Sequence, residues 1–123
     1  MSISTDTLID LHNQARAKSW FGKIHPLKKD EVLMSYAQNH AEWMASNGRM
    51  IHSSMRSIMN LGFSVVGENI AWGQSSEKSV INAWLWSPGH RLNIMGRSYT
   101  KIGCGYAKDK NNRIYWCVCF GRD

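Results

Sequence analysis

Three polar residues that could do chemistry stand among apolar neighbours in the sequence. His52 follows Met50 and Ile51, Glu68 lies in the segment Val-Val-Gly-Glu-Asn-Ile, and His90 follows a Pro-Gly pair. Burying an imidazole or a carboxylate is costly unless the group is paired, so we expect these three side chains to meet in a cleft. Two neutral imidazoles can ligate a divalent metal, and a carboxylate beside them can orient an imidazole or act as a general base.

The motifs of several common enzyme classes are absent from the sequence, which contains no GxSxG, HExxH, P-loop or GxGxxG segment. Serine hydrolase, zincin and nucleotide-binding interpretations therefore lose support. Ser87 is more typical of a helix end than of a nucleophile, because no base can be assigned to it. Asn69 is expected to hydrogen-bond to backbone in a turn. We expect His12 and Arg16 to make structural hydrogen bonds.

The chain carries an excess of basic residues, with a net charge of +6 at pH 7 and a pI of about 9.5. These residues are spread from Arg16 to Arg122 and form no stripe or known nucleic-acid motif. Their distribution favours a generally basic surface and predicts no specific nucleic-acid partner. Attraction to an anionic cell envelope is compatible with it.

Length and composition are those of one folded domain, which we place at residues 1–123. Apolar residues make up 43% and charged residues 20%, so a folded core is expected rather than disorder. No stretch approaches the ~20 apolar residues of a membrane-spanning helix. The N-terminus lacks the basic start and apolar run of a secretory signal, which predicts either a cytoplasmic protein or a mature domain with an added start Met.

Helical spacing and capping residues predict four helices before the C-terminal quarter of the chain. The first begins at Ser4 or Thr5 and ends around Trp20–Gly22, the second runs from a cap at Asp30 to Asn47-Gly48, a short third covers Ser53–Asn60, and the fourth runs from a cap at Ser76 to Pro88-Gly89.

Strand-like segments occupy much of the remaining sequence. The polar triplet Gly67–Asn69 within Phe63–Gly73 predicts a turn or bulge that enters a strand. Residues His90–Gly96 are expected to be irregular. Ile102–Ala107 and Ile114–Phe120 predict a β-hairpin, and helices followed by such a hairpin favour a layered α+β fold.

The three cysteines are Cys104, Cys117 and Cys119. They are too few for a disulfide scaffold and lack the CxxC spacing of zinc sites. If Ala107 faces Ile114 in the hairpin, Cys104 lies opposite Cys117 and a disulfide can join them, whereas a one-residue shift removes that pairing. One disulfide with a free thiol and three buried thiols are both compatible with the sequence.

Eight short segments occur in an order and spacing that are familiar from one protein family. They are Leu11–Arg16, Ala37–Ala45, His52-Ser53, Gly67–Ala71, Trp84–His90, Asn93–Met95, Ile102–Gly105 and Tyr115–Cys117. This series resembles the CAP superfamily, which contains the cysteine-rich secretory proteins, antigen 5 and plant pathogenesis-related protein 1. The resemblance extends from about Leu8 to Gly121 and is strongest with compact prokaryotic-type members.

The resemblance implies an α-β-α sandwich with a central antiparallel sheet and a cleft lined by two histidines and two glutamates. It assigns the histidines to His52 and His90 and one glutamate to Glu68, while Ser87 takes the place of the second glutamate, three residues after Trp84. Family histidines can hold a divalent metal, often zinc. With one carboxylate fewer, we expect the metal to be held weakly, with Glu68 bonded to an imidazole rather than ligating directly.

The leading functional hypothesis is a secreted or envelope-associated, monomeric binding module, because most family members act by binding. Its ligand would be a small lipid, peptide, glycan or protein in the cleft, where Glu68, Ser87 and Asn69 surround the metal-binding histidines. The alternative is a metal-dependent hydrolase of peptide or ester bonds, in which His52 and His90 hold the metal and Glu68 is the catalytic base. A cytoplasmic or phage-borne partner-binding domain is a third hypothesis, motivated by the missing signal sequence.

Overall fold

The structure is a computed structural model that describes residues 2–123. Its elements in chain order are α1 (Thr5–Ala17), β1 (Lys28–Lys29), α2 (Glu31–Asn47), α3 (Met55–Met59), β2 (Val65–Trp72), α4 (Glu77–Leu85), α5 (Pro88–Ile94), β3 (Lys101–Lys108) and β4 (Ile114–Arg122). The longest helix, α2, has 17 residues, and none in residues 2–123 has the length and hydropathy of a membrane span.

Polar side chains close the N-termini of the three longest helices. Ser4, Asp30 and Ser76 each accept a hydrogen bond from a backbone N–H in the first turn of the helix that follows. Gly48, in the left-handed conformation with φ of 61°, ends α2. The predicted starts of these helices and the predicted end of α2 are therefore confirmed.

Helix α1 ends at Ala17, earlier than the predicted end around Trp20–Gly22. The backbone N–H of Ile24 donates to the carbonyl of Arg16 at 3.0 Å, so the chain turns back over the end of the helix. Ile24 is buried and fixes this return. Tertiary packing, which the local sequence pattern does not report, thus stops the helix early.

In residues 2–123 the strands form one sheet with the order β1-β3-β4-β2. Strands β3, β4 and β2 pair antiparallel, and the two-residue β1 adds a parallel edge to β3. Helices α1, α4 and α5 pack on one face of the sheet, and α2 and α3 pack on the other. The predicted α+β fold, a three-layer α-β-α sandwich with a central antiparallel sheet, is confirmed.

Strand β4 lies between two neighbours, and its alternate side chains fill two separate cores. Trp116 and Phe120 pack with α1 and α4, whereas Tyr115 and Cys119 pack with α2 and α3. All four side chains are almost fully buried. Burial on both faces explains why this strand is a nearly continuous apolar run.

Strand β3 carries glycine where α2 crosses it. A Cβ atom at Gly103 would overlap the backbone carbonyl group of Leu33, and one at Gly105 would overlap the backbone of Gln38. No side chain fits in so close an approach, so glycine allows α2 to lie directly on the sheet. The end of α2 then leads into the segment that carries His52.

The register of the β3–β4 hairpin separates the cysteines. Ala107 lies opposite Tyr115, one step away from the register that a Cys104–Cys117 bond requires, and Cys104 faces Val118. Cys104 packs beneath α1 and Cys117 packs on the opposite face of the sheet. All three thiols are free and buried. The disulfide alternative is therefore wrong, and the alternative of three buried thiols is confirmed.

Two polar segments differ from their predicted form. Gly67–Asn69 belongs to an unbroken strand rather than a turn or bulge, because every residue from Val65 to Trp72 has a partner in β4. Residues Pro88–Ile94 form helix α5 rather than an irregular segment. A proline at the first helical position has its backbone angle preset for a helix, so the Pro-Gly pair begins a helix here as well as following one.

Candidate functional site

Glu68 is the centre of a buried hydrogen-bond network on β2. Its side chain has no exposed surface. Its Oε1 is 2.9 Å from both Nδ1 of His52 and the backbone nitrogen of Ser53, and its Oε2 accepts a 2.5 Å hydrogen bond from the Ser53 hydroxyl. An ionised carboxylate only accepts hydrogen bonds, so Nδ1 of His52 carries the proton and Nε2 is its free nitrogen.

His52 connects this buried network with the solvent. Its side chain is 57% exposed although its Nδ1 atom contacts a carboxylate with no exposed surface. The ring is therefore fixed at its inner edge and open at its outer edge. A histidine held in this way by a carboxylate is the common arrangement behind metal-ligating imidazoles.

Two thiols lie beneath the same carboxylate. The Sγ atoms of Cys117 and Cys119 are 3.7 and 4.0 Å from Oε2 of Glu68, and the two sulfurs are 3.9 Å apart. Glu68, Cys117 and Cys119 thus bring three possible metal-ligating atoms within 4.8 Å of one another, and no other such group occurs within residues 2–123. The hydrogen bond with Cys119, followed by burial, raises the pKa of the Cys117 thiol. A metal bound here would have to displace its proton.

His90 is held by Ser87 at the start of α5. Its Nδ1 is 2.9 Å from the Ser87 hydroxyl, which makes no capping hydrogen bond to the helix although Ser87 occupies the N-cap position. Burial, and next the charge of His52, lowers the pKa of His90. His90 is therefore neutral at neutral pH.

Two asparagines attach α5 to β2. Asn69 is fully buried and donates to the backbone carbonyl of His90 at 3.0 Å, while its Oδ1 accepts from Asn93 at 2.9 Å. Asn93 also donates to the backbone carbonyl of Glu68 at 3.2 Å. Asn69 thus bonds to backbone, but from a strand and not from a turn. The residue that follows Glu68 in the chain positions the helix that carries His90.

A shallow pocket of about 240 Å³ opens beside His90. Its lining consists of Met50, Ile70, Ala71, Trp72, Gln74, Ala83, Trp84, Ser87 and His90. Trp72 is 44% exposed, and the Arg113 guanidinium lies 4.6 Å from the centre of its ring. The pocket combines an apolar wall with a few polar groups, as ligand sites commonly do.

A larger surface depression, of about 500 Å³, lies between the end of α2 and the β3–β4 turn. It contains none of the residues that the sequence singled out for chemistry. Volume alone would favour it, but its lining is the lysine- and asparagine-rich turn, without histidine or glutamate. We therefore place the candidate site at the smaller pocket.

The structure brings the sequence-predicted residues together in two connected groups. His52 contacts Glu68, and His90 contacts Ser87. Asn69 joins the groups through the backbone of α5. All five predicted residues of the cleft therefore belong to one connected site.

The structure adds three features to the site that the sequence did not predict. Ser53 has a signal, since it follows His52 directly and supplies two of the donors to Glu68. Asn93 has a weaker signal, its place in the Asn-Ile-Met segment. The thiol pair has none, because cysteines two residues apart on a strand are typical core residues.

The two histidines could hold a divalent metal through their Nε2 atoms, because each Nδ1 already has a partner inside the protein. Glu68 is less suited to direct ligation, since both of its oxygens accept hydrogen bonds and neither is exposed. Two protein ligands leave open coordination positions and favour weak retention of the metal.

An α-β-α sandwich with a strand glutamate behind a cleft histidine is the arrangement of the CAP domain. The chain belongs to this family: the family model CAP, the cysteine-rich secretory protein family, matches residues 9–120. The resemblance found in the sequence is thereby confirmed.

Particular relatives include bacterial and plant proteins. YkwD of Bacillus subtilis (strain 168), an uncharacterised protein, is 32% identical over 109 residues, which cover 82% of this chain but 41% of YkwD. Pathogenesis-related protein 1 of Arabidopsis thaliana is 28% identical over 124 residues, which cover 88% of this chain and 70% of that protein. Among solved structures, an outer surface protein from Borrelia burgdorferi superposes with a TM-score of 0.85 at 25% identity, covering 96% of this chain and 91% of that one.

Proposed function

We propose that the protein is a monomeric CAP binding module of the cell envelope or extracellular space, in which His52 and His90 hold a divalent metal, zinc, beside a ligand pocket. The ligand is a small lipid, peptide, glycan or protein segment that enters the pocket between Trp72 and His90. The observation that carries the proposal is the 2.9 Å contact of His52 with the buried carboxylate of Glu68, which leaves Nε2 as the metal-binding atom.

Glu68 is a positioning residue in this proposal. Its carboxylate sets the tautomer and the ring orientation of His52, and the hydrogen bonds from Ser53 hold the carboxylate in place. The lowered pKa of His90 supports the same function, because a neutral imidazole ligates a metal and an imidazolium does not. The Ser87 hydroxyl orients the ring of His90 in a similar way, but it can donate or accept and so does not set the tautomer.

Hydrolysis receives less support from the geometry than binding. A general base must lie about 2.6–3.2 Å from the proton that it removes, directly or through one water. The carboxylate of Glu68 has no exposed surface and already accepts hydrogen bonds from His52 and Ser53. It is therefore better placed to orient an imidazole than to deprotonate a water in the cleft.

Zinc titration by calorimetry at neutral pH tests the metal site. Wild type should take up zinc weakly, and His52→Ala combined with His90→Ala should abolish uptake while thermal unfolding remains cooperative. His25→Ala is a matched control, since His25 is exposed and bonds to the carbonyl of Tyr99 instead of the cleft. Unchanged uptake by the double variant would refute the site.

Two further variants separate the roles of the groups behind His52. Glu68→Gln should weaken zinc affinity about 10- to 100-fold, the usual effect of losing a group that orients a ligand. Cys117→Ser should leave zinc affinity unchanged, and loss of uptake in this variant would move the metal to the thiol pair. Zinc-dependent cleavage of peptides or esters by wild type, abolished in Glu68→Gln, would favour the hydrolase instead.

A further inference from the structure

The turn after α1 presents two adjacent aromatic side chains to solvent. Trp20 is 89% exposed and Phe21 is 88% exposed. They lie at the centre of residues 18–23, which we call the aromatic tip. Exposed pairs of large apolar side chains are unfavourable in water and commonly mark a contact surface. The pocket, the histidines and Glu68 make no use of them.

Hydrogen bonds brace the backbone of the aromatic tip. The N–H of Gly22 donates to the carbonyl of Ser19 at 3.2 Å, which closes a turn with the two aromatic residues at its apex. The guanidinium of Arg97 lies 3.4 Å from the carbonyl oxygens of both Phe21 and Gly22. The buried Ile24 anchors the returning chain. The two rings therefore project from a braced turn, and ordering them on contact costs little backbone entropy.

The charge around the aromatic tip has one sign. Between Asp10 and Asp30 the chain has five basic residues and no acidic one, and Lys18 and Lys23 flank the two aromatic residues directly. None of the ion pairs formed within residues 2–123 involves these two lysines or Arg97. Their charges are free to meet an external anion.

A fourth cation lies under the tip. Arg16 is fully buried and donates to the carbonyls of His25, Ile94 and Gly96, yet it has no carboxylate partner in residues 2–123 and its Nη2 atom has no hydrogen-bond partner there. Burial, and next the charge of Arg97, lowers its pKa to about 10, so it is still charged at neutral pH. It adds to the positive potential at this end of the molecule.

We propose that the aromatic tip anchors the protein to an anionic lipid surface, with Trp20 and Phe21 in the headgroup region and Lys18, Lys23 and Arg97 against lipid phosphates. Aromatic rings favour the interface between water and hydrocarbon, and lysines and arginines add attraction to anionic headgroups. On an anionic membrane, the two rings can enter the headgroup layer while the surrounding cations contact lipid phosphates. A protein partner would need a wider contact surface than two side chains supply.

Trp86 provides an internal comparison, because it is also 89% exposed. It lies at the corner between α4 and α5, where the segment 83–90 has no lysine or arginine. A neighbouring cation is Arg91, whose guanidinium donates to the carbonyl of Leu85 at 3.3 Å. Trp86 therefore lacks the group of three cations and the second exposed ring that the tip has. Trp86→Ala is therefore the matched control for the loss of one exposed ring.

The β3–β4 turn provides a control for charge. Lys108 and Lys110 are exposed there. The hydroxyl of Tyr106 lies 3.5 Å from the carbonyl of Ile3, so this turn is near the start of α1 and the aromatic tip is at the other end of the helix. Replacing these lysines changes the net charge by the same amount as replacing Lys18 and Lys23, without touching the tip.

Sedimentation of the full chain with lipid vesicles tests the proposal. Vesicles of phosphatidylcholine with added phosphatidylglycerol should retain wild type, and vesicles of phosphatidylcholine alone should retain much less. Trp20→Ala with Phe21→Ala should lower the partition coefficient about tenfold or more. Lys18→Gln with Lys23→Gln should lower it about 25-fold, since each lysine near such a surface contributes about fivefold, and should weaken its salt dependence.

The control variants decide between the tip and unspecific attraction. Trp86→Ala and Lys108→Gln with Lys110→Gln should each leave the partition coefficient within about twofold of wild type. Equal losses in tip and control variants would overturn the proposal. Absence of binding to either vesicle type, with normal far-ultraviolet circular dichroism, would also overturn it and point to a protein partner. Zinc uptake is measured separately, so the result is independent of the metal site.

Discussion

The two cleft histidines are supported in different ways. Behind His52 lies a carboxylate with no exposed surface, which Ser53 and the thiol of Cys117 also contact. Behind His90 lies the neutral hydroxyl of Ser87, three residues earlier in the chain at the N-cap of the same short helix. One imidazole is therefore fixed by the core of the protein, and the other depends on how firmly a seven-residue helix is docked on the sheet. Disturbing the two supports should have unequal effects.

The largest effect is expected from Glu68→Ala. The change leaves the donors of Ser53 and His52 without their acceptor and opens a cavity under the cleft, so the free energy of unfolding should fall by about 3–4 kcal/mol in urea titration. Ser87→Ala is the counterpart and should cost less than about 0.5 kcal/mol, because the hydroxyl does not cap α5. Similar losses in both variants would show that the two supports are equivalent.

A third histidine, outside the cleft, should control the stability of the protein at acid pH. His12 is fully buried between Trp84 and Phe120, and burial lowers its pKa to about 4 from the usual 6.5. The unfolded chain therefore binds a proton more readily, and the stability that neutral His12 provides is complete above pH 6.5 and lost as the pH falls toward 4. Urea titrations over this range should show a loss of about 3 kcal/mol from this residue.

The matched variant is His12→Gln. It should reduce the slope of the free energy of unfolding against pH, even if the variant is less stable than wild type at every pH. His52→Ala should leave most of the slope in place. If instead the slope disappears with His52, the cleft pair and not the buried ring controls acid unfolding. The slope, and not the absolute stability, is the quantity to compare.

Docking of α5 is tested by Asn93→Ala. This side chain bonds to Asn69 and to the carbonyl of Glu68, and it accepts from the hydroxyl of Tyr99 at 3.2 Å. Its loss should reduce the free energy of unfolding by about 2 kcal/mol. Hydrogen exchange should accelerate in α5 more than in β2. Uniform acceleration across the fold would mean that α5 is not a separately docked unit.

The smallest effect is a titration shift in the metal-free protein. The charge of His52 contributes to the lowered pKa of His90, although burial contributes more. In His52→Ala the pKa of His90 should therefore rise toward, but not reach, its usual value. Proton NMR of the imidazole resonances measures it, with His25 as an internal reference. A pKa that stays constant or falls would place the two rings too far apart to interact.

Local signals predicted most of the fold. Capping residues and apolar spacing located the starts of α1, α2 and α4, since these features depend on a few consecutive residues. The hairpin register was not predictable in the same way. The turn is set by Asp109, whose side chain accepts from the N–H groups of Asn111 and Arg113, and by Asn112 with φ of 63°. Such turn geometry moved the pairing by one residue.

The candidate site was predictable where a polar residue stands in an apolar segment, because such a group must find a partner. This argument applies to Glu68 and His52, which are in contact. The same argument did not predict the secondary structure of Gly67–Asn69. A polar triplet is compatible with a turn, and equally with a strand whose polar side chains hydrogen-bond to other elements. Tertiary partners, such as Asn93 for Asn69, cannot be assigned from one sequence. The metal and the ligand remain predictions.

Strand β4 is the last of the strands that a ribosome makes and also the one that the other two long strands share. Until about residue 122 has left the exit tunnel, β2 and β3 have no common neighbour, and the helices on both faces have no finished sheet to cover. The domain should therefore fold as one unit once β4 has emerged, and not strand by strand. A chain stalled before Ile114 would expose both apolar cores at once and would depend on chaperones until translation resumed.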